Sequence, residues 1–190
     1  MSHPFRFESV THSYVLDGQR VPSITQMLKQ CGLVDDRWWT DASRERGTHV
    51  HTLTAMYDLG ALTDVPGCTS RYKGWLQAHV LALGILQPEL LQVEVPRVHP
   101  IYQFGGRPDR EIKYQGRVGV LEVKSGAEEP GHAVQTALQC LLVAPIYHLP
   151  PQSLVRLCLY LKADGWFRVL EHVAVGDFIE ARKVIKECCR

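Results

Sequence analysis

The sequence has little net charge and no long apolar run. Its 190 residues include 21 basic and 20 acidic side chains, so the formal net charge is only +1. A balance so close to zero gives no general attraction to nucleic acid, and any such binding must come from a local patch. No apolar stretch is long enough to span a bilayer, and the first residues lack the apolar core of a signal peptide. We therefore expect a cytoplasmic protein with no membrane partner.

The sequence also lacks paired cysteine motifs. None of the six cysteines has Cys-x-x-Cys spacing: Cys31, Cys68, Cys140, Cys158, Cys188 and Cys189. This favours reduced thiols over a disulfide framework or a zinc site. The length and the 45% hydrophobic content predict one domain over 1–190. Within it we expect an N-terminal appendage over 1–40, a core over 41–175 and a C-terminal helix over 176–190.

The apolar pattern predicts helices packed on strands. We expect a hairpin over 5–21 that turns at Asp17-Gly18, then a short helix that Ser23 caps and that ends near Gly32. Asp41 is the expected cap of a helix over 41–59, and Gly84 the expected end of a helix over 70–83.

The second half of the chain is rich in predicted strands. These cover 91–98, 102–112, 118–124, 154–161 and 167–173. A helix over 131–144 should end at Pro145, and Asp177 should cap a final helix. The order of these elements predicts an α/β (α+β) fold in which a central mixed β-sheet is flanked by helices.

Two short segments contain acidic and basic residues that could bind a metal ion and a phosphate. Asp109 lies in Gly-Gly-Arg-Pro-Asp-Arg, and Glu122 and Lys124 lie in Leu-Glu-Val-Lys-Ser-Gly. Two carboxylates can bind a hard cation such as Mg²⁺, and the lysine can stabilise charge on a phosphate. The strand period of two places Glu122 and Lys124 on one face, where the Val123 carbonyl could also face the cation. The alternative is a surface salt bridge between Glu122 and Lys124.

Pro108-Asp109 followed by Glu122-Val123-Lys124 resembles the PD-(D/E)xK nuclease superfamily. The predicted order of elements is similar to the αβββαβ core of that restriction-endonuclease-like fold. Gln135, on the helix after the strand, resembles the first residue of the Gln-x-x-x-Tyr motif in the RecB-like branch. The chain departs from that motif at position 139, where it has glutamine instead of tyrosine.

A segment in the N-terminal half adds to the resemblance. Arg46-Gly47-Thr48-His49-Val50-His51 resembles the Gly-Thr-x-Val-His signature of RecB-like phage exonucleases. The resemblance implies that Asp109, Glu122 and His51 bind Mg²⁺ or Mn²⁺. It implies that Lys124 positions the attacking water or stabilises the transition state, and that Gln135 orients Lys124 or a DNA phosphate. Glu94 either lies near the metal or is a solvent-facing strand residue.

Basic and aromatic side chains could contact DNA. Those we expect to bind phosphates are Arg107, Arg110, Arg46 and Lys73, although each could equally be an ordinary solvated charge. Trp38 and Trp39 could stack on unpaired bases or pack into the core.

The function implied is a metal-dependent DNA nuclease. An exonuclease of phage or bacterial recombination and repair is the leading hypothesis, acting on linear ends or single-stranded DNA. A phage or host recombination protein is a further expected partner. The alternatives are a structure-specific endonuclease, such as a nickase or resolvase, and an inactive module that binds DNA or a protein.

Overall fold

A computed structural model describes residues 5–34, 37 and 39–189. The chain forms a mixed α/β fold in which a central five-stranded sheet is flanked by helices, as the sequence predicts. No helix in this described part of the chain is both long and apolar enough to cross a membrane.

The elements follow one another in three groups along the chain. The N-terminal group is β1 (Phe5–Glu8), β2 (Ser13–Leu16), β3 (Gln19–Val21) and α1 (Ile24–Gln30). The middle group is α2 (Asp41–Asp58), α3 (Lys73–Leu86), β4 (Glu89–Val93), β5 (Arg97–His99) and β6 (Phe104–Gly106). The last group is β7 (Arg110–Tyr114), β8 (Arg117–Lys124), α4 (Gly131–Tyr147), β9 (Val155–Leu161), β10 (Phe167–Glu171) and α5 (Gly176–Cys188).

The central sheet has the strand order β10-β9-β8-β7-β4. The pair β8–β9 is parallel and the other pairs are antiparallel. The helix α4 connects the two parallel strands, as a crossover between parallel neighbours requires. The N-terminal segment forms a three-stranded meander, β1-β2-β3, rather than the simple hairpin predicted for it.

Alternation along β8 divides the core into two layers. Val120 packs with apolar residues of α1, α4 and α5 on one face of the sheet. Leu121 and Val123 pack with Val50 of α2 and with α3 on the other face. Because the strand period is two, Glu122 and Lys124 share the α4 face with Val120.

Some predicted helix ends are confirmed and others are wrong. Ser23 caps α1, and its hydroxyl accepts from the Gln26 N–H at 3.2 Å. Thr40, not Asp41, caps α2. The helix α3 continues past Gly84 to Leu86, because one glycine lowers helix stability by only about 1 kcal/mol and does not by itself end a helix.

The C-terminal helices differ from prediction in the same way. Pro145 lies inside the last turn of α4 and does not end the helix. The last turn is tied to the sheet by Tyr147, whose hydroxyl donates to Glu111 Oε2 at 2.9 Å. The helix α5 begins at Gly176, so Asp177 lies in its first turn instead of capping it.

Two predicted strands are interrupted at the same level of the sheet. The strand expected over 91–98 breaks at Glu94, which has a φ of 53°, and the chain resumes as β5. The strand expected over 102–112 breaks between β6 and β7, at Arg107-Pro108-Asp109. The two breaks bring Glu94 and Asp109 together, and the Glu94 N–H donates to the Asp109 carbonyl at 3.0 Å.

His132 on α4 is a buried neutral histidine next to β9. Its Nδ1 lies 2.9 Å from the Tyr160 hydroxyl and 3.3 Å from the Glu129 N–H. Burial, together with the nearby charges of Lys124 and His172, lowers the pKa of His132 to about 3.

We predict that His132 makes the fold sensitive to acid. An unfolded histidine takes up a proton below about pH 6.5, whereas folded His132 stays neutral, so stability falls as the pH drops. At pH 5 this loss amounts to about 2 kcal/mol. Urea unfolding at pH 7.5 and pH 5 should show a smaller loss in His132→Asn, whose side-chain oxygen replaces the Nδ1 acceptor without titrating. Equal losses in both proteins would contradict this.

Candidate active site

Asp109 is held where β7 and β8 separate. Pairing of these strands begins at Arg110 and Leu121, and Pro108 has no N–H to extend it. The Asp109 carboxylate takes over that role, since its Oδ2 accepts from the Val123 N–H at 2.7 Å. The N–H and C=O of an extended residue point to the same side, so we expect the Val123 carbonyl to face this carboxylate. The other oxygen of Asp109, Oδ1, is left for a further partner.

His51 supplies that partner from α2. It lies on the helix face that borders a cavity of about 950 Å³, together with Arg44, Thr48 and Ala55 at helical spacing. Its Nδ1 is 3.2 Å from Asp109 Oδ1. The sequence signature that contains His51 therefore brings an imidazole to the end of the central sheet.

Glu94 completes a cluster of three potential metal ligands. Its Oε1 lies 3.8 Å from His51 Nδ1, and ligand atoms of His51, Glu94 and Asp109 all lie within 4.8 Å of one another. Of the two readings of Glu94, the solvent-facing strand residue is wrong, because the residue leaves the strand and turns toward this cluster. Two carboxylates and one imidazole form a donor set that suits Mg²⁺ or, given the nitrogen, Mn²⁺.

The opposite charges in this cluster stabilise one another. Burial disfavours the imidazolium of His51, but the Asp109 and Glu94 carboxylates outweigh it and raise the pKa of His51 to about 10. Burial also opposes ionisation of Asp109, yet the His51 charge lowers the pKa of Asp109 to about 2. An imidazolium thus offsets one of the two carboxylate charges, and a divalent cation at the same donor atoms would take the place of that proton.

Glu122 lies in a second cluster, on the α4 face of β8. Its Oε1 accepts from Lys124 Nζ at 2.9 Å and from Gln135 Nε2 at 2.5 Å. Lys124 Nζ also donates to Gln135 Oε1 at 2.9 Å, and Gln139 Nε2 donates to Glu122 Oε2 at 2.6 Å. Glu122 is only 4% exposed, so the alternative of an ordinary surface salt bridge is wrong. Both of its oxygens are occupied by hydrogen bonds, and it is not among the three converging ligands.

Two of the predicted DNA-binding residues line the same cavity. Arg46 and Arg107 lie in its wall with Trp39. Arg107 Nε pairs with Glu94 Oε2 at 2.8 Å. The Nε of Arg46 is buried and has no hydrogen-bond partner in the described part of the chain. Trp38, the other tryptophan considered for base stacking, lies outside the described residues.

The other two basic residues are placed differently. Arg110 has a fully buried side chain and pairs with Asp58, so the prediction that it contacts DNA is wrong. Lys73 lies at the start of α3, where it donates to the Pro66 carbonyl. Among the described residues, it is not part of the cavity wall.

No sequence pattern predicted the hydrogen-bond network around Arg110. Besides pairing with Asp58, its guanidinium donates to the Asp109 carbonyl at 2.7 Å and to Thr54 Oγ1 at 3.2 Å. Asp58 also lies 2.9 Å from His79 Nε2 on α3. Asp58 follows His51 by seven residues, which puts both on one side of α2, but that spacing alone indicates no particular chemistry.

The comparisons with known proteins give limited similarity. No protein-family model matches the chain, and no curated protein matches it significantly. The crystal structure of a protein from Eubacterium rectale, named "Putative exonuclease", is similar to this chain with a TM-score of 0.49 and 14% sequence identity. The similarity covers 90% of this chain and 74% of that one.

We predict that Asp58→Asn destabilises the fold strongly. The substitution preserves the shape of the side chain but removes the nearest counter-charge of the buried Arg110 guanidinium and leaves only Glu94 Oε1, at 3.8 Å. Breaking a buried ion pair in this way costs about 3–5 kcal/mol. Urea unfolding at neutral pH measures the loss. Glu180→Gln, which breaks an exposed pair with Lys183 on α5, is the control and should change stability little. A small effect of Asp58→Asn would show that the Arg110 pair does not support the site.

Proposed function

We propose that the chain is a metal-dependent deoxyribonuclease, and specifically an exonuclease. The observation that carries this proposal is the cluster of His51, Glu94 and Asp109 beside the ammonium of Lys124, at the border of one cavity. A cation site next to a fixed positive charge is what hydrolysis of a phosphodiester requires.

Some residues of the site would bind the cation, and others would stabilise charge on the substrate. His51, Glu94 and Asp109 would hold Mg²⁺ or Mn²⁺, and Glu122 and the Val123 carbonyl are further proposed ligands. When bound, the cation would polarise the scissile phosphate and lower the pKa of a water molecule.

The Lys124 ammonium would orient the attacking water or stabilise the charge that develops on the phosphate oxygens. Its position supports this role, because Glu122 and Gln135 hold it from two sides. Gln135 would therefore act on the reaction by orienting Lys124.

The substrate we propose is DNA with a free linear end or a single-stranded region. Arg46 and Arg107 would contact phosphates in the cavity, because both line its wall. We further propose that residues 1–190 act as one nuclease domain in phage or bacterial recombination and repair. A phage or host recombination protein would be its partner.

The decisive test uses end-labelled linear DNA and closed circular DNA, each with Mg²⁺, Mn²⁺ or chelator. We expect the purified protein to release nucleotides from the linear DNA only when the cation is present. Lys124→Ala should abolish cleavage and leave DNA binding largely intact, because Lys124 acts on the transition state. Asp109→Asn should weaken Mn²⁺ binding in calorimetry as well as cleavage.

Other outcomes would select a different function. Opening of the closed circle would identify an endonuclease, such as a nickase or resolvase. Retained DNA binding with no cleavage of any DNA would identify a binding module. Full cleavage by Lys124→Ala or Asp109→Asn would show that the site is elsewhere.

Gly47 provides an independent test of the cavity. It lies on the α2 face that borders the cavity, and a Cβ added there would meet nothing within 4 Å. Gly47→Leu should stabilise α2 by roughly 0.5–1 kcal/mol. It should nevertheless reduce cleavage, because its side chain would project into the space where DNA binds.

Gly84→Leu is the matched control for this variant. Gly84 lies within α3 and also has nothing within 4 Å of an added Cβ. Thermal unfolding should show a similar gain for both variants, and KM for DNA should rise only in Gly47→Leu. An unchanged KM in Gly47→Leu would mean that DNA does not enter the cavity along α2.

A further inference from the structure

Gln139 occupies the position where the sequence departs from the motif it otherwise resembles. It lies on α4, one helical turn after Gln135, and is 2% exposed. Its Nε2 donates to Glu122 Oε2 at 2.6 Å. Glutamine at this position therefore places a hydrogen-bond donor against the carboxylate at the centre of the second cluster.

The other polar atom of the Gln139 amide, Oε1, shows that the contact with Glu122 fixes the orientation of the amide. The Oε1 atom is buried and has no hydrogen-bond partner among the described residues. Turning the amide over would remove the donor and bring this oxygen against the Glu122 carboxylate, which would be repulsive. A buried amide that leaves its oxygen unsatisfied is unfavourable by itself. The hydrogen bond to Glu122 is thus the contact that determines how the Gln139 amide is oriented.

Gln139 acts on Lys124 through Glu122. A glutamate carboxylate turns easily about its terminal torsion, which is broad and roughly two-fold. Holding Oε2 from α4 keeps Oε1 directed at Lys124 Nζ and Gln135 Nε2, at 2.9 and 2.5 Å. Without the Gln139 donor, only the two contacts to Oε1 would restrain the carboxylate, and its orientation toward the Lys124 ammonium would be less fixed.

We propose that Gln139 is a positioning residue of the nuclease centre, and that it holds the Glu122 carboxylate so that Lys124 is directed at the substrate. This inference rests on the proposed function, but the geometry it describes can be measured without DNA or metal. The donor is an amide where the resemblance implies a phenol, so the chain would keep the donor and change its chemical type.

The test is Gln139→Met, which preserves the length of the side chain and removes the donor. Thr136→Val is the matched control, because Thr136 is buried on the same helix and its hydroxyl donates to the Ala133 carbonyl. The first measurement is the ¹H–¹⁵N NMR signal of the Lys124 ammonium, assigned by its absence in Lys124→Met. We expect a sharp signal in the wild type and in Thr136→Val, and a broadened one in Gln139→Met.

The second measurement is steady-state cleavage of linear DNA. Losing a partner that orients a reacting group typically costs 10–100-fold in activity. We expect Gln139→Met to lower kcat by about that factor with KM for DNA unchanged, whereas Thr136→Val keeps both values. Gln139→Asn, which withdraws the amide from Glu122 by one methylene, should give the same result as Gln139→Met.

These measurements separate the inference from the proposed function. An unchanged Lys124 signal in Gln139→Met, or a broad signal in the wild type, would overturn the positioning role. A signal lost only in the position-139 variants, together with no cleavage by the wild type, would support the positioning role and remove the nuclease proposal. If neither variant at position 139 folds, as judged by circular dichroism, residue 139 supports the fold itself and the inference fails.

Discussion

The hydrogen bond from the Val123 N–H to Asp109 Oδ2 organises the candidate site. It joins β7 and β8 beyond the last backbone pair, so the Asp109 side chain replaces a backbone acceptor there. That contact fixes one oxygen of the carboxylate and turns the other toward His51 on α2. The interruption of the strand before β7 allows this contact, and it also brings Glu94 beside Asp109. His51, Glu94 and Asp109 thus converge because the chain leaves the sheet at the same level after β4 and before β7.

Around this point the structure compensates each buried charge locally. His51 is opposite Asp109, Lys124 is opposite Glu122, and Arg110 is opposite Asp58. An isolated charge in such surroundings would be very unfavourable, so each one requires a partner and hydrogen bonds. The His51–Asp109 and Arg110–Asp58 pairs join α2 to the start of β7 and therefore hold these two elements in register beside the cavity. Local neutralisation is also consistent with a chain whose overall net charge is only +1.

Predictions from the sequence succeeded where local rules decide the structure. The Ser23 cap and the Asp17-Gly18 turn depend on a few adjacent residues, and both are present. Local rules failed at Gly84 and Pro145, because each helix continues for two residues beyond the one expected to end it. Local rules also failed at Glu94, because the alternating pattern predicted a continuous strand and did not indicate its left-handed backbone conformation.

The sequence by itself determined that Glu122 and Lys124 share one face of a strand, because side-chain alternation is a property of the extended backbone. It also determined the order along the chain of the helices and of the central-sheet strands, but not the interruptions that create β5 and β6. Only the tertiary structure decided that Arg110 is buried against Asp58, and that Gln139 contacts Glu122 from another element. It also brought Glu94 to His51 and Asp109. These contacts join residues far apart in the chain, and their distances depend on how helices pack on the sheet, which no local pattern encodes.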